Sequence, residues 1–354
     1  MPEARVSAAA IAALIADAMV AVGMPSADAA KVAELMLEAD LTGADAHGVF
    51  RLPQYVRRIK AGGVNPKANV TVAQTASATA TVDGDNGMGH LVMQRAADTA
   101  VALAKQNGVA WVGARRSNHA GAAGTYAAMA LPHDMIGIYS AVANANHMPA
   151  WGAAESLLST NPIAIALPAG QEPPVVLDIA TTVVSYGTVK AAKLQGKPMP
   201  EGWMVSATDG KPITDSAKSG NGLLLPIGGH KGSGLALVLG LLAGVLNGAA
   251  FGREVVDFNA DDESECNTGH FIIALDVSRF LPIDVFKAQI DRQLRDLRSS
   301  KVLPGFDSIR LPGEQRRSRR AERLRDGVPV FPEVVAQLDI LAGELKIMPL
   351  RERD

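Results

Sequence analysis

The chain has 354 residues with 34 basic and 36 acidic side chains, a net charge of -2, and a hydrophobic content of 48% that includes only 4% aromatics. That balance leaves no electrostatic footprint for nucleic acid or for an anionic membrane surface. The length allows a deep core in two domains or two lobes sharing a cleft, and the single cysteine, Cys266, excludes an internal disulfide framework and a cysteine-based zinc site. A cytoplasmic location follows as the default. The N-terminal 23 residues read as an amphipathic helix and not as a secretion signal, because Glu3 and Asp17 interrupt the pattern.

Ser7 can cap a first helix with Ile11, Leu14, Ile15 and Met19 at helical spacing, stopped by Gly23-Met24-Pro25. Ser26 opens a second, with Val32, Leu35 and Met36 on one face, ending near Gly43 where the string ADAHGVFR begins. His47 and Arg51 are four apart and share a face if the segment is helical. A guanidinium takes a carboxylate through two parallel hydrogen bonds and an imidazole gives or takes a proton, so the pair suits a 2-oxo or 2-hydroxy acid. The same spacing also fits an ordinary helix surface.

Residues 70–82 form a strand-like region and 83–87 a turn, followed by a helix from His90 to Gln106 and a strand from Val109 to Val112. The polar cluster Arg115 to His119 lies between a strand end and a helix start, where open α/β sheets commonly bind ligands. Further strands are predicted at 135–142, 163–167 and 175–177, with Asn144, Asn146, His147 and Trp151 in one loop and Asp178, Thr181 and Thr182 at a strand end. The string from Pro200 to Asp215 reads as a surface excursion. Residues 234–246 hold no polar side chain and match the roughly 10 to 14 apolar residues of a buried core helix better than the ~20 of a bilayer span. That predicts a central helix, apolar all round. At its head Gly228, Gly229, His230, Lys231, Gly232 and Ser233 either seat a phosphate at the helix N-terminus or form a glycine turn with Lys231 solvated. Neither a Rossmann G-x-G-x-x-G nor a P-loop occurs.

After the central helix, residues 253–267 read as an exposed acidic loop and 271–275 as a strand, with helices at 286–297 and 333–345. The arginines from Arg316 to Arg325 read as one solvated helix face, since no aromatic interleaves them to stack on bases. The seven histidines are dispersed, so no metal site is expected.

The string GADAHGVFRLPQYVRRIKAGGVNP resembles the signature of the malate/L-lactate dehydrogenase family, which includes ureidoglycolate, sulfolactate, diketogulonate and piperideine-2-carboxylate oxidoreductases. RSNHAGAAGTYA, STNPIAIALP, VLDIATT, PEGWMVSATDGKPITD, GGHKGSGLAL, NTGHFIIALD and LPGE are similar to further family motifs in the same order. The resemblance implies an α/β class with a non-Rossmann mixed sheet of the sulfolactate dehydrogenase-like type that binds NAD or NADP. It implies a helical lobe with the catalytic segment in residues 1–72, a cofactor-binding α/β domain in 73–277, and C-terminal helices in 278–354 that return to the lobe. Homodimers are expected.

By motif, His47 matches a proton-transferring histidine, Arg51 a carboxylate anchor and His119 a second active-site histidine. Asn144, Asp178, Ala180, Thr181, Thr182, His230, Lys231, Gly232, Pro312, Gly313 and Glu314 match cofactor contacts. The expected activity is hydride transfer between nicotinamide, with a lean to NAD, and a small 2-hydroxy acid, 2-oxo acid or cyclic 2-imino acid. Two departures stand out: Ala46 replaces a serine before the signature histidine, and Ala143 replaces a hydroxyl residue before Asn144. They motivate the rival reading of a nucleotide-binding sensor without turnover. Asp45, the Thr42 hydroxyl, a water or a residue from elsewhere are the candidates to orient His47.

Overall fold

The computed structural model describes residues 4–353. A seven-stranded sheet runs in the order 71–76, 79–83, 109–117, 268–276, 135–141, 163–167, 175–179. Only the 79–83/109–117 pair is parallel; every other neighbour is antiparallel. This is the mixed sheet the resemblance implied. Alternation sorts its faces: Ile272 and Ala274 join one core with Val112 and Ala114, while Phe271 and Ile273 join another with Trp111. Residues 70–82 resolve into a hairpin because Ser77 and Ala78 turn the chain between Thr71–Ala76 and Thr79–Asp83.

Helix α1 (Ala8–Ala21) begins where Ser7 Oγ accepts the Ala10 N–H at 3.1 Å, and α2 (Ser26–Thr42) ends on Gly43 in the left-handed region. With α3 (Leu52–Ala61) they bury Ile11, Leu14, Met19, Val32, Met36, Leu52 and Val56 in one cluster that also takes in Val328, Val330, Leu338 and Leu341. The chain ends meet there, since strand Ala4–Val6 pairs with Val328–Val330. Helices α4 (Gly89–Asn107) and α5 (Ala123–Ala128) cover one sheet face, α7 (His230–Ala243) covers the other, and α6 (Tyr186–Leu194) contributes Val189 to a separate small core. α8 (Ile283–Arg298), α9 (Glu314–Asp326) and α10 (Pro332–Leu345) follow.

Three expectations are corrected. α7 is apolar all round but not buried all round: Ala236, Leu239 and Ala243 face inward, while Leu235, Leu237, Val238 and Leu241 are exposed, with Val245 and Leu246 beyond its end. His230–Asn247 is long and apolar enough to cross a bilayer by length and composition, yet its inner side packs on Val142 and Phe271. The His47–Arg51 segment is two 3₁₀ turns, Asp45–His47 and Val49–Arg51, because Gly48 between them leaves the helical region at φ -95° and ψ -142°. The arginines of α9 are not one solvated face, since Arg323 is buried and bonded to Asp45 and the Asp40 carbonyl, and Arg316 pairs with Asp178 at 2.7 Å. The surface excursion is mostly exposed, as expected; within it Met204–Ser206 pairs antiparallel with Gly222–Leu224, over a small core of Val189, Met199, Met204 and Leu224.

Candidate active site

A cavity of about 810 Å³ opens between the helical cluster and the sheet edge, lined by His47, Arg51, His119, Asn144, His147, Asp178, Tyr186, Phe258 and Arg316 among others. The short turns after α2 present His47 and Arg51 to it. They are held by Asp40, a buried carboxyl whose Oδ2 accepts the Val49 N–H at 2.8 Å. Gly48 is needed for this approach, because a Cβ there would sit 1.9 Å from Asp40 Oδ1. Burial pushes the Asp40 pKa up to about 8.

Arg51 is buried and makes no ion pair among the described residues. Its Nε donates to the Ala46 carbonyl at 2.8 Å and its Nη1 to Gln54 Oε1 at 2.7 Å and Asn259 Oδ1 at 3.5 Å, so Nη2 is left to a ligand. The guanidinium lies over the Phe258 ring. Burial lowers its pKa from the ordinary value. A desolvated cation held only by neutral oxygens is a costly arrangement unless an anion completes it.

His47 and His119 stack with ring centroids 5.2 Å apart, and Phe258 also stacks on His119 at 5.1 Å. His119 Nδ1 lies 2.5 Å from the Tyr55 hydroxyl and 3.4 Å from the Gly121 N–H. The amide can only donate, so Nδ1 is the acceptor and the neutral ring carries its proton on Nε2. Burial, then the neighbouring His47, holds the His119 pKa well below the usual imidazole range. Burial, then the Arg51 cation, lowers His47 to about 4. Its Nδ1 is buried without a partner. Two of the expected orienting groups are occupied elsewhere: Asp45 pairs with Arg323, and Thr42 Oγ1 donates to the Glu38 carbonyl at 2.7 Å.

Asp178 lies inside the 175–179 strand, opposite Ala164, with its carboxylate accepting the Gly124 N–H at 2.8 Å and paired to Arg316. Asn144, Ala180 and Thr182 line the cavity beside it, and Asn144 Nδ2 donates to Thr268 Oγ1. Thr181 is buried behind them, bonded to the Thr160 carbonyl. His230, Lys231 and Gly232 form the first turn of α7 outside the lining, with Gly232 pressed on the carbonyl of Ile227, a lining residue. Pro312, Gly313 and Glu314 also stand outside it, where Pro312 accepts the Val176 N–H and Glu314 is bonded by Arg298.

Sequence reasoning missed Gln54, Tyr55, Tyr186, Lys190, Phe258, Asn259 and the cavity role of Arg316. Tyr55 had a signal, four residues after Arg51 on the same helical face. Phe258 and Asn259 had none, since they lie in a loop read as exposed.

A mixed, largely antiparallel sheet beside a cleft that holds two histidines of lowered pKa and a buried arginine makes a site for acid–base chemistry on an anionic ligand, outside the Rossmann class. The sequence matches the model of the malate/L-lactate dehydrogenase family over residues 6–339, and the chain belongs to that family. It is 35% identical to the malate dehydrogenase of Pyrococcus horikoshii, covering 92% of this chain and 91% of that one. Identity to the L-sulfolactate dehydrogenase of Methanocaldococcus jannaschii is 37%, covering 94% of both, and to the NAD(+) ureidoglycolate dehydrogenase of Escherichia coli 30%, covering 92% of both. The solved sulfolactate dehydrogenase of M. jannaschii superposes with a TM-score of 0.90 at 35% identity over 99% of each chain. The Δ1-piperideine-2-carboxylate reductase of Pseudomonas syringae does so with 0.84 at 28% identity, over 96% of this chain and 100% of that one.

Proposed function

We propose that the chain is a cytoplasmic, homodimeric NAD(P)-dependent oxidoreductase acting on a small 2-hydroxy or 2-oxo acid, or a cyclic 2-imino acid. The observation that carries this reading is Arg51, a buried guanidinium with a free Nη2 and no counter-ion among the described residues, set beside His47 and His119. A substrate carboxylate on Nη2 supplies the missing charge. His47 is neutral at pH 7 and therefore takes the hydroxyl proton as the acid is oxidised, returning it on reduction. His119 offers its Nε2–H to the substrate oxygen, held in that tautomer by Tyr55.

The cavity fits a nicotinamide dinucleotide in size, falling within the roughly 300 to 1,000 Å³ of small-molecule sites. Its wall at Ala120, Gly121, Ala122, Ala123, Ala141 and Ala143 is free of large side chains that would fill it. When bound, the nicotinamide ring supplies or accepts the hydride. Asn144, Asp178, Ala180 and Thr182 are the residues that would hold the cofactor from the lining, with Thr181, His230, Lys231, Gly232, Pro312, Gly313 and Glu314 flanking them. The name of the ureidoglycolate relative supports NAD over NADP. The exposed apolar side of α7 supports a homodimer, and the one free cysteine, Cys266, suits a reducing compartment.

A panel of 2-hydroxy, 2-oxo and 2-imino acids with both cofactors, followed by nicotinamide absorbance, should find turnover with NAD(H) ahead of NADP(H). Silence across the panel with no cofactor binding by calorimetry would sink the reading. Cofactor binding without turnover would mark a sensor instead.

A further inference from the structure

Arg51 at the head of α3, with Gln54, Tyr55 and Arg58 within it, follow one another at helical spacing and share one side of the helix. The first three serve the site directly, since Gln54 accepts from Arg51 and Tyr55 meets His119. Arg58 has no such contact. It is buried outside the cavity lining and donates to three backbone carbonyls, from Nη1 to Asp261 and from Nη2 to Ser264 at 2.7 Å and Gly63 at 3.1 Å. Gly63 follows the end of α3, whereas Asp261 and Ser264 belong to a loop that returns over the site. That loop puts Phe258 and Asn259 in the cavity wall. The Phe258 ring centre lies 5.2 Å from the Arg51 guanidinium and 5.1 Å from that of His119. Its carbonyl accepts Gln54 Nε2 at 2.6 Å, and its N–H donates to the Asn144 carbonyl at 3.0 Å.

A buried guanidinium on neutral carbonyls is costly where an apolar side chain could fill the same space, unless it holds something the apolar chain cannot. What Arg58 holds is backbone. Its planar fork reaches two points of the loop and the end of its own helix at once, which the point charge of a lysine cannot do. The loop needs holding. Asp257, Asp261, Asp262, Glu263 and Glu265 crowd into it, and like charges so close together push a free segment apart and repel the anion that Arg51 awaits. In the fold three of these acids are engaged away from the substrate. Asp257 Oδ1 accepts both N–H groups of Asn259, Asp261 Oδ1 accepts the Glu263 and Ser264 N–H groups, and Asp262 pairs with Arg57 at 3.3 Å. We propose that Arg58 is a positioning residue of the active site, clamping the 257–264 loop so that Phe258 shields Arg51 and His119 from water and the loop's acids stay clear of the substrate carboxylate. This assignment rests on the reading of Arg51 as the carboxylate anchor.

The loop can be released from either side of the grip. Arg58→Met removes the fork, while a Cβ on Gly63 would lie 2.3 Å from the Asp262 carbonyl oxygen and 2.9 Å from Arg58 Nη2, so Gly63→Ala pushes the loop away with the charge still in place. Should Arg58→Met not fold, Arg58→Lys takes its place, keeping the charge without the fork. Three quantities are read on the full chain: hydrogen exchange of the 258–264 amides by mass spectrometry, KM and kcat for the acid the panel above turns over fastest, and calorimetric binding of oxalate to the NADH-loaded protein. Each single variant should speed exchange in the loop at least tenfold with α4 unchanged, weaken oxalate at least fivefold, and raise KM for the acid at least fivefold with kcat changed less. Cofactor affinity within threefold of the parent shows that a variant is folded. The double variant should be within twofold of the worse single, because both changes release one loop; losses that multiply would overturn the assignment. A residue that only stabilises the fold would lower Tm and leave KM and oxalate binding unmoved, and that result, or unchanged loop exchange, would also overturn it. If acids turn over and both variants are indifferent, the redox reading stands and the clamp fails. If none turns over but oxalate binds the parent and weakens in both variants, the redox reading fails and the clamp stands. No oxalate binding by the parent would remove Arg51 as the anchor, and the clamp with it.

Discussion

Arg51 uses Nε and Nη1 on Ala46, Gln54 and Asn259, and that three-sided hold fixes the plane in which Nη2 meets a ligand. A lysine carries the same charge but cannot keep those bonds and the fork together. Arg51→Lys should cost about 1.5 to 3 kcal/mol, roughly ten- to a hundredfold, in kcat/KM; steady-state kinetics within twofold of the parent would remove Arg51 as the anchor. His47 makes a pH prediction whose sign follows from its lowered pKa. As a base it must be unprotonated, so kcat/KM for oxidation should be level through neutrality and decline only as pH falls toward about 4. A substrate carboxylate on Arg51 offsets the cation that helps depress His47, so the limb in kcat should lie higher than the limb in kcat/KM. A kcat limb at or below the kcat/KM limb would contradict that coupling. Tyr55→Phe deletes the hydroxyl that holds Nδ1 of His119 as an acceptor, leaving only the long bond from Gly121. Turnover should fall by about tenfold, about 1.4 kcal/mol, with cofactor affinity unchanged by calorimetry.

The catalytic turns form an element only because α2 supplies Asp40 to cap them and α9 supplies Arg323 to hold Asp45 and the Asp40 carbonyl. Asp40 carries a protonation cost that can be read out. Its pKa rises from 3.8 to about 8 on folding, so the native state binds the extra proton between those values and stability falls as pH rises across them. Asp40→Asn keeps an oxygen for the Val49 N–H and has no proton to lose. Its Tm should gain on the parent steadily from pH 5 to pH 8, and a constant difference across that range would show that Asp40 is charged when buried. The same turns explain Ala46, whose carbonyl holds Arg51 while its Cβ faces Gly187 of α6 so closely that a Cβ on Gly187 would lie 2.7 Å away. α2, α6 and α9 therefore converge on a segment with little regular structure of its own.

At the scale of the whole molecule, α7 joins two surfaces. Its inner side covers the sheet, while Val238 is 53% exposed and Val245 58%, an apolar strip that a second copy of the chain would cover. For a chain of 36.9 kDa, sedimentation equilibrium should give about twice that mass, and Val238→Glu should shift it toward one chain. A parent that sediments as a single chain at micromolar concentration would remove the dimer from the proposal. The joined chain ends matter on the same scale, because the pairing of Ala4–Val6 with Val328–Val330 places α9 where Arg316 can reach Asp178 across the cavity.

Local signals were legible in the sequence wherever the physics is local. The Ser7 cap, the stop at Gly43 and the strand at 271–275 each depend on neighbours a few residues away, and each is present in the fold. His47, Arg51 and His119 were singled out by motifs that resemble the family's, and the fold brings the three to one cavity. The partners of that set were not, since Tyr55, Phe258, Asn259 and Lys190 come from α3, a loop and α6, and nothing in their own surroundings signals that they meet. The exposed side of α7 was hidden for a related reason: every residue from Gly234 to Leu246 is apolar or glycine, so no periodicity marks which side faces the sheet. Short-range preference sets where elements begin and end, whereas the pairing of charges and rings across the cavity depends on contacts between residues as far apart as Asp178 and Arg316, which only the packed chain brings together.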